Sequence, residues 1–217
     1  MTSLVLAHSP LVGPSSWGGL PEELLSRAYD VVVLDVRDDD QPPYAQRYVA
    51  RAALQLRDTT GPVVLVGHSG AGYLLPQLGA ARRAARQPVA AYVFLDAGLP
   101  ARQGTTRLSL MHAEDEAFAH ELEQHLRDGG VFPEWPDVPD LRPRGLDFFT
   151  ELLPFPGDWP DAPCGYVQLS PAYAQPARVA KSRGWPVVTL HDPGGHFTMC
   201  TNPTAVADAL EQVLAPV

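Results

Sequence analysis

Six short apolar runs constrain the fold of this 217-residue chain more than any other feature. They are Leu4 to Ala7, Val31 to Leu34, Pro62 to Val66, Val89 to Leu95, Tyr166 to Leu169 and Pro186 to Leu190. Their continuous Val- and Leu-rich character, without polar alternation, suits parallel strands covered on both faces. Between them lie helix-like stretches: Pro21 to Ala28, Ala45 to Arg57, Ala71 to Arg86 and Thr204 to Leu214. Strand alternating with helix predicts an α/β fold. Its core would be a mostly parallel sheet of about six strands, flanked by helices and joined by right-handed crossovers. A chain of this length can bury a sufficient core as one domain, residues 1–217, without disulfides or metal.

One segment breaks the alternation. Gly98 to Cys164 contains no convincing strand. Phe118, Leu122 and Leu126, four residues apart, give one helix an apolar stripe before Gly129-Gly130 ends it. A second short helix is expected around Leu146, Phe149 and Leu153, stopped by the Pro-rich run that follows. The many aromatic residues argue against a disordered linker. An insertion this long in a compact domain is usually functional. Residues 99–164 are therefore read as a small helical cap.

Charge and composition exclude several classes of function. The chain is 45% hydrophobic and 19% charged, as in ordinary globular proteins, with a net charge of -9. Nucleic-acid and anionic-membrane surfaces need clustered positive charge, so neither partner is expected. The acidic clusters, Asp38 to Asp40 and Glu114 to Glu116, read as solvated surface. The start, Met1-Thr2-Ser3-Leu4, has no basic segment before an apolar run, and no stretch is long enough to span a bilayer. A cytoplasmic location is the expectation. Cys164 and Cys200 stand apart, without metal-binding spacing, and are expected to be inert core thiols. No residue pattern asks for a cofactor.

The strongest chemical signal is Val64-Leu65-Val66-Gly67-His68-Ser69-Gly70-Ala71-Gly72. A serine at a sharp turn from a buried strand into a helix must adopt a strained backbone, and only small neighbours leave room for it. Ala71 stands where the G-x-S-x-G pattern has its second glycine, an addition of one methyl. Such a turn exposes the hydroxyl at a helix N-terminus, where N–H groups favour developing negative charge. The same segment lacks the lysine of a phosphate-binding P-loop and the spacing of a dinucleotide fingerprint.

From the first strand to the last helix, the chain resembles a small member of the α/β-hydrolase superfamily, with the family's first two strands absent. The resemblance rests on Gly67 to Gly72, and on Pro193-Gly194-Gly195-His196-Phe197 ahead of a helix begun by Pro203. It implies Ser69 as nucleophile and His196 as general base. His196 suits that role independently, because its place after the last strand puts it at the sheet edge that carries Ser69. His112, His120 and His125 belong to the cap. His68 is expected to turn inward, and His8 to organise the loop after the first strand.

The superfamily's usual acid follows the strand ending at Leu169, yet Ser170 to Trp185 contains no Asp or Glu. Asp96, at the end of Val89 to Leu95, is the favoured acid, since some family members place it there. Asp192 is the rival, four residues before His196 and poorly placed to reach behind its ring. For an oxyanion, the Gly70 N–H is one expected donor. A second normally comes from the loop after the first strand, here His8-Ser9-Pro10-Leu11, where Pro10 takes the donor position and has no N–H. Either the Leu11 N–H donates through a shifted register, or the Ser9 hydroxyl substitutes, or the chemistry needs less help.

The leading expectation is a serine hydrolase that cleaves an ester or thioester of a small to medium apolar molecule through an acyl-enzyme. One alternative is a lyase that eliminates or cyclises, using the Ser–His pair for proton transfer. Ser9 matches the small hydroxyl residue of the hydroxynitrile-lyase branch, but Phe197 stands where that branch carries lysine. A non-catalytic ligand-binding member is the third possibility.

Overall fold

The computed structural model describes residues 2–37, 40–100, 104–135, 137–191 and 194–215. All six apolar runs form strands of one sheet: β1 (Ser3–Ala7), β2 (Asp30–Val33), β3 (Val63–Ser69), β4 (Val89–Ala97), β5 (Cys164–Gln168) and β6 (Val187–Thr189). Their order is β2-β1-β3-β4-β5-β6, with every neighbouring pair parallel. The helices are α1 (Leu20–Ser26), α2 (Tyr44–Gln55), α3 (Leu75–Ala84), α4 (Arg107–Glu114), α5 (Glu116–Arg127), α6 (Leu146–Thr150), α7 (Ala174–Ser182), α8 (Thr198–Thr201) and α9 (Pro203–Leu214).

The absence of polar alternation in the strands has a direct structural cause. Side chains alternate across a strand, and here both faces are covered. Val5, Leu65, Phe94 and Tyr166 pack on one face with Tyr48 of α2, Leu78 of α3 and Ala177 of α7. Their neighbours Leu4, Leu6, Val64, Val66, Val93 and Val167 pack on the other with Leu24 of α1 and Leu210 of α9. Each large aliphatic side chain so buried contributes about 1.5–3 kcal/mol relative to exposure. From β1 the chain adds β2 on one side, then crosses to build β3 to β6 on the other. The crevice beyond the carboxyl ends of β1 and β3 lies at this reversal, where open parallel sheets hold their ligands.

Local structure departs from expectation in several places. Ala71 to Arg86 is not one helix: Gly70–Leu74 is a tighter 3-10 turn, and α3 begins at Leu75 with proline in its first turn. Proline lacks an N–H and fits only there, so the bend falls at that point. α4, α7 and α8 were not anticipated. α4 opens on a reciprocal cap between Thr106 and Ser109, a weaker signal than the usual Thr and Glu pair. α7 buries mainly Pro176, Ala177 and Ala180, which give no large apolar stripe to read. Cys164 is buried, whereas Cys200, expected in the core, is exposed.

Between β4 and β5 the chain builds α4, α5 and α6 around a cluster of its own. Leu108, Leu122, Leu126, Phe148 and Phe149 pack there with Tyr44 of α2. Of the expected stripe on α5, Leu122 and Leu126 are buried but Phe118 is exposed. α6 ends at Thr150, short of Leu153, which is buried beyond it. Tyr44 Oη donates to Asp147 at 2.6 Å, and Glu151 accepts from the Ala45 N–H at 2.9 Å, tying α6 to α2. No helix among the described residues is long and apolar enough to cross a membrane.

Candidate active site

Ser69 is the last residue of β3 and has φ 56° and ψ −125°, a conformation that costs a non-glycine residue about 1–3 kcal/mol. The turn holds because its neighbours are small. A Cβ on Gly72 would lie 2.2 Å from the Gly98 carbonyl oxygen, whereas Ala71 fits in the core. Asp96, near the end of β4, is also at positive φ, 42°. Two strained residues on adjacent strands thus meet at one sheet edge.

The Asp96 carboxylate is fully buried and heavily solvated by protein donors. It accepts from the Leu169 N–H at 2.8 Å, the Ser170 N–H at 3.0 Å and Ser170 Oγ at 2.6 Å. Its fourth partner is His196 Nδ1 at 2.7 Å. Without such partners a buried carboxylate would be prohibitively costly. The stretch that lacks an acid therefore supplies donors to an acid on the neighbouring strand. Asp192 and Pro193 lie outside the described residues, as do Asp38 and Asp39 of the acidic cluster.

His196 stands after Gly195, whose φ of 56° suits glycine. Its ring packs against neighbouring rings. Tyr173 stacks on it at 5.0 Å with planes 6° apart, and His68 lies 4.3 Å away on centroids. His68 is buried, as expected, and its Nε2 lies 3.0 Å from the His196 carbonyl oxygen, which requires an N–H there. Burial, with His196 adding to it, holds His68 well below the usual histidine range, so it stays neutral. His8 also organises its loop: Nε2 accepts from the Val36 N–H at 3.1 Å, so Nδ1 donates to the Ser9 carbonyl at 2.9 Å.

The nucleophile candidate has an unexpected partner. Ser69 Oγ lies 3.1 Å from Tyr173 Oη and makes no hydrogen bond to His196 among the described residues. Burial pushes the Tyr173 phenol well above the usual tyrosine range, so it remains protonated. Nothing in the sequence around Pro171-Ala172-Tyr173 announced this contact. Its one signal was an aromatic residue in the loop where the acid was missing.

The loop after β1 bears on the three alternatives for the second oxyanion donor. The Leu11 N–H is not directed freely into the site; it donates to Ser9 Oγ at 3.3 Å. A Cβ on Gly70 would sit 3.1 Å from the same Ser9 Oγ, so that hydroxyl faces the residue after Ser69.

Ser69, Gly70, Ser9, Tyr173 and His196 open on a cavity of about 360 Å3. Its other walls come largely from Met111, Phe118, Phe132, Trp135, Phe148 and Phe149 of the helical insertion. Among the described residues, no group of three His, Cys, Asp or Glu side chains is arranged to hold a metal ion.

Solved structures with this architecture cover nearly the whole chain at low identity. An extracellular α/β-hydrolase from a Paenibacillus species, described as sharing structural and functional homology with tobacco salicylic acid binding protein 2, superposes with a TM-score of 0.69 at 15% identity. That match covers 98% of this chain and 99% of the other. A pyrethroid hydrolase from Sphingobium faniae gives a TM-score of 0.64 at 20% identity, covering 96% and 95%. Tomato methylketone synthase I, complexed with 2-tridecanone, gives 0.67 at 15%, covering 99% and 98%. No curated protein sequence matches significantly. The family model described as "Alpha/beta hydrolase family" matches residues 4–209. With the parallel sheet, the strained serine turn and that match across nearly its whole length, the chain belongs to the alpha/beta hydrolase family.

Proposed function

We propose that this protein is a serine hydrolase that cleaves the ester of an apolar small molecule through an acyl-enzyme, with the helical insertion as its cap. The observation that carries the reading is the Asp96–His196 hydrogen bond of 2.7 Å beside a strained Ser69, at the mouth of an aromatic-lined cavity. Asp96 holds the Nδ1–H tautomer, which leaves Nε2 as the base and stabilises the imidazolium that forms. Ser69 Oγ turns about χ1 from Tyr173 towards His196, since catalytic hydrogen bonds often tighten only with substrate present. Oγ attacks the acyl carbon while its proton passes to Nε2. The alcohol then leaves with that proton, and water repeats the sequence to release the acid and restore Ser69.

Negative charge on the acyl oxygen is met by the Gly70 N–H and by the Ser9 hydroxyl. Ser9 Oγ accepts from the Leu11 N–H, which directs its own proton elsewhere, and it faces Gly70. A side-chain donor thus stands in for the backbone N–H that Pro10 cannot supply. Such a donor is typically worth about 2.7–4 kcal/mol of transition-state stabilisation.

The test is intact-protein mass spectrometry after a fluorophosphonate, together with turnover of 4-nitrophenyl acetate and butyrate. One adduct per wild-type chain, none on Ser69→Ala, and ester turnover that the same substitution abolishes are expected. A labelled Ser69→Ala chain would overturn the assignment. Labelling without turnover of any ester would favour an elimination or cyclisation reaction, and neither labelling nor turnover would favour a binding protein.

A further inference from the structure

The cavity wall carries polar side chains that the proposed reaction does not use. Asp115 is occupied, because its carboxylate caps α5 by accepting from the Phe118 N–H at 3.1 Å. Arg107 is tied to the Phe148 carbonyl at 2.8 Å and to Glu151 at 3.2 Å. Glu114, at the end of α4, is different. It lines the cavity beside Met111 and Phe118, and its partners are Tyr73 Oη at 3.5 Å and the Leu99 N–H. Both partners serve it as donors. The O–H of a neutral Glu114 carboxyl is then left for a group inside the cavity.

We propose that Glu114 is a specificity-determining residue. Its carboxyl donates a hydrogen bond to a keto oxygen borne by the otherwise apolar substrate group that fills the cap cavity. This deepens the hydrolase reading and rests on it. An acid facing aromatic and thioether side chains gains nothing from a purely hydrocarbon ligand, whereas one carbonyl oxygen placed opposite it satisfies the donor. Burial pushes Glu114 up to about 7, against the opposing hydrogen bonds from Tyr73 and Leu99. The acid is therefore neutral, and able to donate, on the acid side of that value.

The tyrosines around it stay protonated across the same range. Tyr73 in the nucleophile turn and Tyr166 of β5 are held well above the usual tyrosine range by burial, as is Tyr173. Arg107 pairs with Glu151 of the segment after α6. On α6 itself, Asp147 accepts from Tyr44. Hydrogen bonds to Glu123 and Glu116 of α5 hold His112 of α4 above the usual histidine range, and His112 is not part of the cavity lining.

The experiment compares 4-nitrophenyl esters of unbranched acids, and alkyl acetates of unbranched alcohols, each with and without one keto group moved along the chain. At pH 5.5 the best keto ester in one series should exceed its hydrocarbon twin about tenfold in kcat/KM, mainly through KM. That ratio should fall towards one above pH 8, as Glu114 ionises and loses its donor. Any pH effect on the chemical step that both esters share cancels in the ratio. Glu114→Gln, which keeps an N–H donor, should hold the preference at both pH values, and Glu114→Leu should remove it at both. A ratio near one throughout in an active enzyme, a ratio independent of pH, or a preference that survives Glu114→Leu would overturn the proposal. So would a preference for ammonium-bearing chains. Calorimetric binding of the same pairs to Ser69→Ala reads the preference without turnover. Loss of the hydrolase reading and loss of the Glu114 reading are thereby told apart.

Discussion

At the scale of single residues, the candidate site centres on a buried carboxylate that donors from the end of the neighbouring strand surround. Asp96 has three donors besides His196, two of them from Ser170. Asp96→Asn keeps the shape but favours the wrong imidazole tautomer, so kcat should fall about 10³–10⁴-fold in steady-state ester assays. Ser170→Ala removes one charge-assisted hydrogen bond and leaves the others, so a loss of about tenfold in kcat is expected. Tyr173 separates into two functions. Tyr173→Phe keeps the stack on His196 and frees Ser69 Oγ, so activity should stay within about tenfold of wild type. Tyr173→Ala also opens the space beside the imidazole and should cost more. Equal effects from the two substitutions would show that the stack holds nothing.

At the scale of elements, two junctions decide how the site is held. The first is the Ser69 turn against the loop after β4. Gly72→Ala would drive a methyl into the Gly98 backbone, which has no flexible side chain to yield. Urea unfolding should show a loss of about 1–3 kcal/mol or more. The second is α4 against that same loop through Glu114. Its folded pKa, about 7, lies above its ordinary value of 4.5. The folded state thus binds more protons than the unfolded state between these values, and stability falls as pH rises from about 4.5 to 7. Urea titrations at pH 5 and pH 8 should differ by on the order of 2–3 kcal/mol from this group. Glu114→Gln should remove that difference.

For the whole molecule, the sheet and the insertion have different kinds of support. β3 lies in the middle of the sheet with helices on both faces, whereas α4 to α6 pack around a small cluster of their own. On the proposed reading, a substrate passes the insertion to reach Ser69. Amide hydrogen exchange should therefore be fastest, termini aside, between about residues 104 and 161, and slowest in Val63 to Val66. Equal protection in the two regions would rule out a cap that opens.

The sequence by itself determined the sheet and the small-residue turn at its carboxyl edge. Short unbroken apolar runs between helix-like stretches suit strands covered on both faces, and small residues around a serine after such a run leave room for the sharp turn. The absence of any acid from Ser170 to Trp185 was equally legible, though Asp96 as its substitute was what the family resemblance implied. These signals are local, or depend on the order of elements, so they are written in the chain. Only the tertiary structure decided what meets at the site. The Ser170 donors, the Tyr173 hydroxyl on Ser69, the turning of Leu11 to Ser9 and the exposure of Glu114 to the cavity all join residues across folded elements. Their contacts are set by a few tenths of an ångström and by side-chain rotation, which no periodicity encodes. The insertion shows the same division. Its length and aromatic content were legible, but α4 was not, because its cap is an atypical Thr and Ser pair and its place is fixed by packing against α5 and α6.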